Sequence, residues 1–294
     1  MHPPLPLTSH ARNVHSQFGE DGILEEIFAR MPGDKWCVEF GAWDGIHRSN
    51  SYNLIKNHDF RAVLIEGDES KFNELCRNIP NPEILKIRTF VTFDGPQALD
   101  RILAGTPIPK NFDFLSIDID GNDYHIFASL EAYRPKVICI EFNPSIPNEV
   151  DFVQPKDFHV NQGSSARSVL TLAKSKGYAL VLATEANLIL VKKTRLFELG
   201  LESEPTLGAC RDDADVRVFL FVGFDGTVFT SKPVILRWNG LRIADRSWQQ
   251  LPRFLRRFPD NYNIFQKIAF KIFRVLKYPE RILWKIARFR RDSH

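Results

Sequence analysis

The stretch that most constrains the fold is Trp36–Gly45, which reads WCVEFGAWDG. An apolar run ends at Gly41, a second glycine follows at Gly45, and Glu39 and Asp44 are acidic. This pattern is typical of a buried strand followed by a tight ligand-binding turn, because glycine lets the backbone approach a ligand closely. In open α/β sheets the ligand lies at the carboxyl ends of the strands. The sequence therefore predicts a doubly wound α/β sheet whose other ligand residues follow later strands.

The predicted second strand, residues 61–66, ends in a candidate ribose ligand. Glu66 lies about 25 residues beyond Gly41, near the spacing at which dinucleotide-binding folds place the carboxylate that binds ribose hydroxyls. A helix cap is the alternative, since an acid directly after a strand often has that role. Between the two strands, Ser49 and Asn50 are expected to cap a helix whose N-terminal N–H groups point at the ligand.

Two later strands also end in acidic and amide side chains. One apolar run leads into Asp118, Asp120 and Asp123, and the next strand, residues 136–142, leads into Glu141 and Asn143. Carboxylates grouped in this way repel one another unless a cation, a protonated group or a positively charged ligand is present. The sequence therefore predicts a site for positive charge at this edge of the sheet.

A short link between the last two predicted strands determines how they pair. Residues 178–183 and 187–191 are two β-rich runs separated by only three residues, so they must pair antiparallel. A further strand is predicted over residues 84–93. The polar connection of residues 145–163 is longer than a simple link needs, and such loops at a ligand edge are usually functional.

Several of these segments, read together, resemble FkbM-like S-adenosylmethionine-dependent methyltransferases. The resemblance covers about residues 16–192 and rests on the segments VEFGAWDG (38–45), SNS (49–51), LIE (64–66), SIDIDGND (116–123) and IEFN (140–143). It implies a Rossmann-like class I methyltransferase fold of seven mostly parallel strands with the last one antiparallel. Gly67, where many relatives have proline, and the doublet Asp118/Asp120, where many have Asp then Glu, depart from the family pattern.

The resemblance also implies roles for individual residues. The cofactor-binding set is Glu39, Gly41, Asp44 and Gly45 around the methionine part, Asn50 beside it, Glu66 on the ribose and Asp118 below the sulfonium. An acidic pocket suits this cofactor because the sulfonium and the ammonium are both positive.

Methyl transfer requires the acceptor oxygen to be positioned and its proton removed. The candidates for this catalytic help are Asp118, Asp120, His125 and Glu141, although packing or capping on the following helix is the expected role of His125. Asp118, Glu141 and Asn143 also resemble the oxygen ligands that hold Mg²⁺ in catechol O-methyltransferases. The alternative for Asn143 is that it caps the turn before Pro144.

Charge separates the tail from the rest of the chain. Residues 253–291 hold twelve Lys and Arg against two acidic residues, a local net charge of +10 against +3 for the whole chain, so the remainder carries −7. This asymmetry argues against nucleic acid as the partner of the main domain. The four cysteines lack ligand spacing, and the sequence shows neither a signal peptide nor an apolar stretch of membrane-spanning length. We therefore expect a cytoplasmic protein with reduced thiols.

The predicted organisation is an N-terminal extension (1–15), a methyltransferase domain (16–193), a β-rich appendage (194–258) and a basic amphipathic helical tail (259–294). The tail is predicted to place one set of apolar residues on one helical face: Phe265, Ile268, Ala269, Ile272, Phe273 and Leu276. A second apolar run follows at residues 282–289. A basic amphipathic helix suits an anionic membrane surface at the inner face of the membrane. Packing on the domain and a homodimer contact are the alternatives.

The predicted function is S-adenosylmethionine-dependent O-methylation of a small molecule, a sugar or a glycan or natural-product precursor, the acceptor following from family analogy alone. The alternative is a non-catalytic binding or membrane-scaffold protein that keeps the fold without the transfer. A nicotinamide-dependent oxidoreductase is disfavoured because residues 41–45 lack the GxGxxG spacing. The sequence does not identify the acceptor, the metal requirement or the oligomeric state.

Overall fold

A computed structural model of the chain describes residues 7–277, which form two compact units, one up to Val216 and one from Arg217 onward. The predicted apolar run at residues 282–289 lies outside the described residues, as do residues 1–6 of the predicted extension. The domain boundaries set out above remain predictions.

The first unit is built on a seven-stranded sheet with the strand order β3-β2-β1-β4-β5-β7-β6. All neighbouring strands pair in parallel except β7, which is antiparallel to both β5 and β6. The predicted mostly parallel α/β sheet with an antiparallel last strand is thus confirmed. The strands are β1 Trp36–Phe40, β2 Arg61–Glu66, β3 Leu85–Arg88, β4 Phe114–Ile117, β5 Val137–Glu141, β6 Tyr178–Ala183 and β7 Asn187–Lys192.

Helices connect these strands and cover both faces of the sheet. In chain order they are α1 Glu20–Arg30, α2 Tyr52–His58, α3 Glu69–Asn78, α4 Leu99–Ala104, α5 Asp123–Ser129, α6 Ala166–Ser175 and α7 Leu207–Cys210. Helix α6 is capped by Ser165, whose side chain accepts a hydrogen bond from the Ser168 backbone N–H.

Alternating side chains divide the core of the first unit into two layers. Val38, Phe40 and Ile117 pack in one layer, whereas Cys37 and Phe114 pack in the other, and all five are fully buried. Because successive strand residues face opposite sides of a sheet, a strand covered on both faces is apolar throughout. Strand β1 is buried along its whole length, which explains its continuous apolar run.

Two predicted boundaries differ from the structure. Strand β3 ends at Arg88 rather than Phe93, because residues 92–98 form their own turn, in which the Thr92 N–H donates to the Gln97 carbonyl. Helix α2 begins at Tyr52, and the Ser49 hydroxyl accepts a hydrogen bond from the Tyr52 N–H at 3.0 Å. Ser49 therefore precedes the helix by three positions and still satisfies one of its free N–H groups.

The second unit contains two small hairpins and a helix. Strands β8 Leu220–Val222 and β9 Val228–Thr230 pair antiparallel, as do β10 Ile235–Leu236 and β11 Leu241–Arg242, and helix α8 spans Ile264–Lys277. The Asp225 carboxylate stabilises the turn of the first hairpin, because it accepts hydrogen bonds from the Thr227 backbone N–H and hydroxyl.

Candidate functional site

The loop after β1 contacts the ends of both neighbouring strands. A Cβ atom on Gly41, where φ is +73°, would lie 1.9 Å from the Asp118 backbone oxygen. The Trp43 backbone N–H donates to the Glu66 carboxylate at 2.8 Å. Asp118 follows β4 and Glu66 ends β2, so the structure brings these sequence-predicted residues to one edge of the sheet. Gly41 is needed for this close approach.

Glu39 ties that loop to the segment before α2. Its buried carboxylate accepts hydrogen bonds from the hydroxyls of Ser49 and Ser51, both at 2.6 Å, and from the Asn50 N–H at 2.9 Å. Asn50 in turn donates from its side chain to the Ser116 hydroxyl on β4. Burial raises the pKa of Glu39, and these hydrogen bonds partly offset that effect. Glu39 and Asn50 therefore shape the loop, and their contact with a cofactor remains a prediction.

Asp44 is engaged in the turn itself. Its carboxylate accepts hydrogen bonds from the backbone N–H groups of Ile46 and His47, at 3.0 and 2.9 Å, and contacts the His47 ring. Burial raises the pKa of Asp44, but these hydrogen bonds outweigh burial and hold the pKa below its ordinary value. Gly45, at φ +79°, closes the turn, and a Cβ atom there would lie 2.4 Å from the Leu75 side chain.

Glu66 accepts a hydrogen bond from the Trp43 backbone, and Gly67, the residue after it, lies close to the Phe90 ring. The second Glu66 oxygen accepts the Asp68 N–H at 2.7 Å, so each carboxylate oxygen makes one backbone hydrogen bond and has a lone pair left. A Cβ atom on Gly67 would lie 2.3 Å from the Phe90 ring, which explains glycine at a position where many relatives have proline. The Phe90 and Trp43 side chains are 67% and 54% exposed. Sequence reasoning missed both rings, because nothing in their spacing marks them.

Three carboxylates gather where β4 and β5 end. Oxygens of Asp118, Asp120 and Glu141 all lie within 4.8 Å of one another. Among residues 7–277 none of the three accepts a hydrogen bond or pairs with a cation. Burial, followed by the charges of Asp123 and Asp120, raises the pKa of Asp118 to about 7. Burial and the charge of Asp118 raise the pKa of Glu141 to about 9. The cluster thus favours protons or another positive charge.

Asp123 and His125 have structural partners of their own. The Asp123 carboxylate accepts the N–H groups of Ile119 and Gly121, both at 2.9 Å, and so closes the turn after β4. Burial raises the pKa of Asp123 to about 6 despite these bonds. The His125 ring contacts the Gln154 carbonyl through Nε2 at 2.8 Å and therefore holds the loop of residues 145–163. A catalytic role for His125 remains a prediction.

Asn143 is also engaged with its own loop. Its side-chain oxygen accepts hydrogen bonds from the Ser145 N–H and hydroxyl, and its amide donates to the Gln162 carbonyl. This is the turn-capping role that the sequence left as the alternative to metal ligation. Magnesium binding by Asp118, Glu141 and Asn143 remains a prediction.

Glu20 is a buried carboxylate that sequence reasoning did not place near the site. It lies in the first turn of α1 and accepts hydrogen bonds from Thr184 and from Asn187, at 2.7 and 3.0 Å. Asn187 is the β7 partner of Glu141, and the charge of Glu20 contributes to the raised pKa of Asp118. An acidic residue in the first turn of a helix interacts favourably with the helix dipole, and this common role does not mark Glu20 as part of a site.

One cavity of the described residues lies away from this edge of the sheet. A cavity of about 670 Å³ is lined by Gly33, Lys35 and Phe60, which precede β1 and β2, and by residues of α1 and α2. Its carboxylates already have partners, since Glu25 bonds to Arg12, Asn53 and His58 and Glu26 bonds to Arg30. Uncompensated charge therefore lies at the carboxyl ends of the strands, and we place the functional site there.

The sheet order and the carboxylate-lined edge define an α/β protein with the class I methyltransferase fold. Residues 95–195, about a third of the chain, match the family model described as the methyltransferase FkbM domain. This match confirms the resemblance seen in the sequence for residues 95–195, which are similar to the methyltransferase FkbM domain. No curated protein matches the chain.

Solved structures with a similar fold include several methyltransferases of low identity. The N-terminal domain of EvdMO1, crystallised in the presence of S-adenosylhomocysteine and D-fucose, is 10% identical with a TM-score of 0.40, covering 59% of this chain and 82% of that chain. A putative caffeoyl-CoA O-methyltransferase from Staphylococcus aureus is 15% identical with a TM-score of 0.38, covering 57% and 81%. An O-methyltransferase from Bacillus cereus is 17% identical with a TM-score of 0.37, covering 62% and 84%.

Proposed function

We propose that this protein transfers a methyl group from S-adenosylmethionine to a hydroxyl of a sugar or of a glycan or natural-product precursor. The observation that carries the proposal is the cluster of Asp118, Asp120 and Glu141, which lacks a positive partner among residues 7–277. A cofactor that brings a sulfonium and an ammonium relieves that repulsion. The class of acceptor rests on the family resemblance alone.

In this proposal the residues of the site divide into two groups. Glu66 accepts hydrogen bonds from the ribose hydroxyls with its remaining lone pairs, and the rings of Trp43 and Phe90 offer flat apolar surfaces for the adenine. Glu39 and Asp44 act indirectly, because they hold the loop that forms the floor of the pocket. Asp118 faces the positive end of the cofactor, which stabilises the ionised form of the carboxylate.

Proton removal from the acceptor falls to Glu141. S-adenosylmethionine supplies the methyl group, and the acceptor hydroxyl must lose its proton as the new O–C bond forms. Glu141 lies at the end of β5, beside the loop of residues 145–163 that the His125 contact anchors. Burial and the charge of Asp118 raise the pKa of Glu141 to about 9, so the group is protonated near neutral pH while the site is empty. The positive charge of the cofactor lowers that pKa, and the ionised carboxylate can then take up the proton of the acceptor hydroxyl.

Calorimetry with S-adenosylmethionine tests the proposed pocket. We expect the wild-type protein to bind the cofactor and Glu66→Gln to bind it about tenfold more weakly, since a charged hydrogen-bond partner contributes on the order of 1–3 kcal/mol. The matched control is Glu69→Gln, because Glu69 follows Glu66 by three residues and its side chain is 75% exposed. Equal losses in both variants, or undiminished binding by Glu66→Gln, would place the pocket elsewhere.

Transfer of a labelled methyl group tests the reaction. We expect label from S-adenosylmethionine in the methyl ether of a sugar or polyol acceptor, and expect Glu141→Gln to lower the rate while cofactor affinity changes less. Cofactor binding without transfer to any acceptor hydroxyl would favour the non-catalytic alternative. Label recovered on nitrogen or carbon would contradict O-methylation.

A further inference from the structure

Helix α8 of the second unit has two apolar surfaces rather than one. Ala269, Phe270 and Phe273 are partly buried, and the Phe270 ring contacts the buried Tyr262 at 5.8 Å between ring centroids. A second stripe stays exposed, with side chains between 47% and 78% accessible: Ile264, Phe265, Ile268, Ile272, Val275 and Leu276. The helix has therefore packed its inner face and still presents a separate apolar surface to its surroundings.

A row of cations borders the exposed stripe. Lys267, Lys271 and Arg274 recur at helical spacing, and helix α8 contains no acidic residue. At about 100° per residue, the exposed apolar stripe covers an arc of about 120° and the three cations lie within about 60° directly beside it. None of the three cations has an ion-pair partner among residues 7–277.

The rest of the second unit does not supply a core that could take up this stripe. Of its described hydrophobic residues only Leu255 and Tyr262 are buried, whereas rings such as Phe224 and Trp238 are 94% and 77% exposed. Exposed apolar surface of this extent marks an interaction site. No helix within residues 7–277 is long and apolar enough to cross a membrane.

We propose that helix α8 docks on an anionic lipid surface, with Phe265, Ile268 and Ile272 entering the acyl boundary and Lys267, Lys271 and Arg274 at the headgroups. A lipid surface is fluid and needs no groove matched to the stripe, and its charge is complementary to the row of cations. A second copy of the chain suits the stripe less well, because helix α8 contains no acidic residue that could pair with the cations of the copy, and an antiparallel twofold contact would bring the two cation rows together.

Vesicle binding by the full chain tests this inference. We expect flotation with vesicles of phosphatidylcholine and phosphatidylglycerol at 0.1 M salt, and little with pure phosphatidylcholine or at 1 M salt, because salt screens surface charge. Lys267→Gln with Lys271→Gln should weaken binding about twentyfold, since each cation near the surface contributes about fivefold. The control pair, Lys110→Gln with Lys193→Gln, removes the same charge from exposed positions of the first unit and should change binding less than twofold.

A second pair of variants separates apolar insertion from charge. Phe265→Gln should weaken binding about tenfold, whereas Phe197→Gln should leave it unchanged, although the two rings are similarly exposed, at 78% and 73%. Equal binding to neutral and anionic vesicles, or no difference between the two Phe variants, overturns the proposal. So does a dimer that Phe265→Gln dissociates while vesicle binding persists. S-adenosylmethionine affinity measured in parallel reports on the first unit, so failure here is distinct from failure of the proposed function.

Discussion

The carboxylates of the site behave differently on its two sides. On the β1–β2 side, Glu39 and Glu66 accept hydrogen bonds from neighbouring backbone or hydroxyl groups. On the β4–β5 side, Asp118 and Glu141 have no such partners among residues 7–277, and their pKa values are raised to about 7 and about 9. Glu39 and Glu66 therefore stabilise loops at this edge of the sheet. Asp118 and Glu141 lack protein partners in the described part of the chain, and their ionised forms are energetically costly.

The largest expected effect on stability is at Glu39, on the β1–β2 side of the site. Glu39→Ala leaves the hydroxyls of Ser49 and Ser51 and the Asn50 N–H without their buried acceptor. We expect a loss of about 3 kcal/mol in the free energy of unfolding, measured with denaturant, because each unmatched buried group costs about 1–3 kcal/mol. Glu69→Ala, at an exposed position, should cost little. A loss below about 1 kcal/mol would mean that the carboxylate does not hold this segment.

A smaller loss of stability is expected at Gly41, where the loop after β1 contacts Asp118. Gly41→Ala introduces a Cβ atom 1.9 Å from the Asp118 oxygen at a φ of +73°, so strain and a backbone clash add. We expect a loss of about 2 kcal/mol, together with weaker S-adenosylmethionine binding. Gly177→Ala is the matched control, because Gly177 has a φ of +84° with nothing within 4 Å of its would-be Cβ. Equal losses in the two variants would show that backbone strain alone, not the loop contact, sets the cost.

On the β4–β5 side, substitution of Asp118 should raise the stability of the protein rather than lower it. The pKa of Asp118 is raised to about 7 in the folded protein from an ordinary value near 3.8, so the proton binds more tightly to the folded state. Stability from this group is complete below about pH 4 and is lost as the pH rises through 7. Asp118→Asn removes that loss, and we expect the variant to unfold at higher denaturant concentration than the wild type at pH 8, with no difference near pH 4.

The same substitution should weaken binding of the positively charged cofactor about tenfold at pH 8. It should affect S-adenosylhomocysteine less, because the sulfonium charge is gone. Asp123→Asn is the contrasting control: the two carboxylate oxygens each accept one backbone N–H group, and an amide has only one oxygen to accept them, so the variant should be less stable than the wild type near pH 4, where Asp118→Asn makes no difference. If Asp118→Asn also lowers stability at pH 8, the division between the two sides is wrong.

The sequence predicted the sheet and the edge at which the site lies, and it missed how the carboxylates are used. The glycine turn at residues 41–45 and the short link before β7 were sufficient for the fold, because both depend on local backbone geometry. Whether a carboxylate has a hydrogen-bond partner depends on residues that are distant in the sequence. Glu20, for example, accepts a hydrogen bond from the Thr184 hydroxyl. Likewise, the helical period in α8 predicted an apolar face, but contact with Tyr262 decides which residues of that face turn inward.

The loop over the acceptor side of the site is cross-linked to itself. The buried Gln154 side chain accepts the N–H groups of Gln162 and Gly163 and donates to the Val160 carbonyl, while its backbone oxygen contacts His125. Because these hydrogen bonds all involve Gln154, no part of the loop can move far without breaking several of them. We therefore expect any opening of residues 145–163 to be one collective motion rather than local fraying.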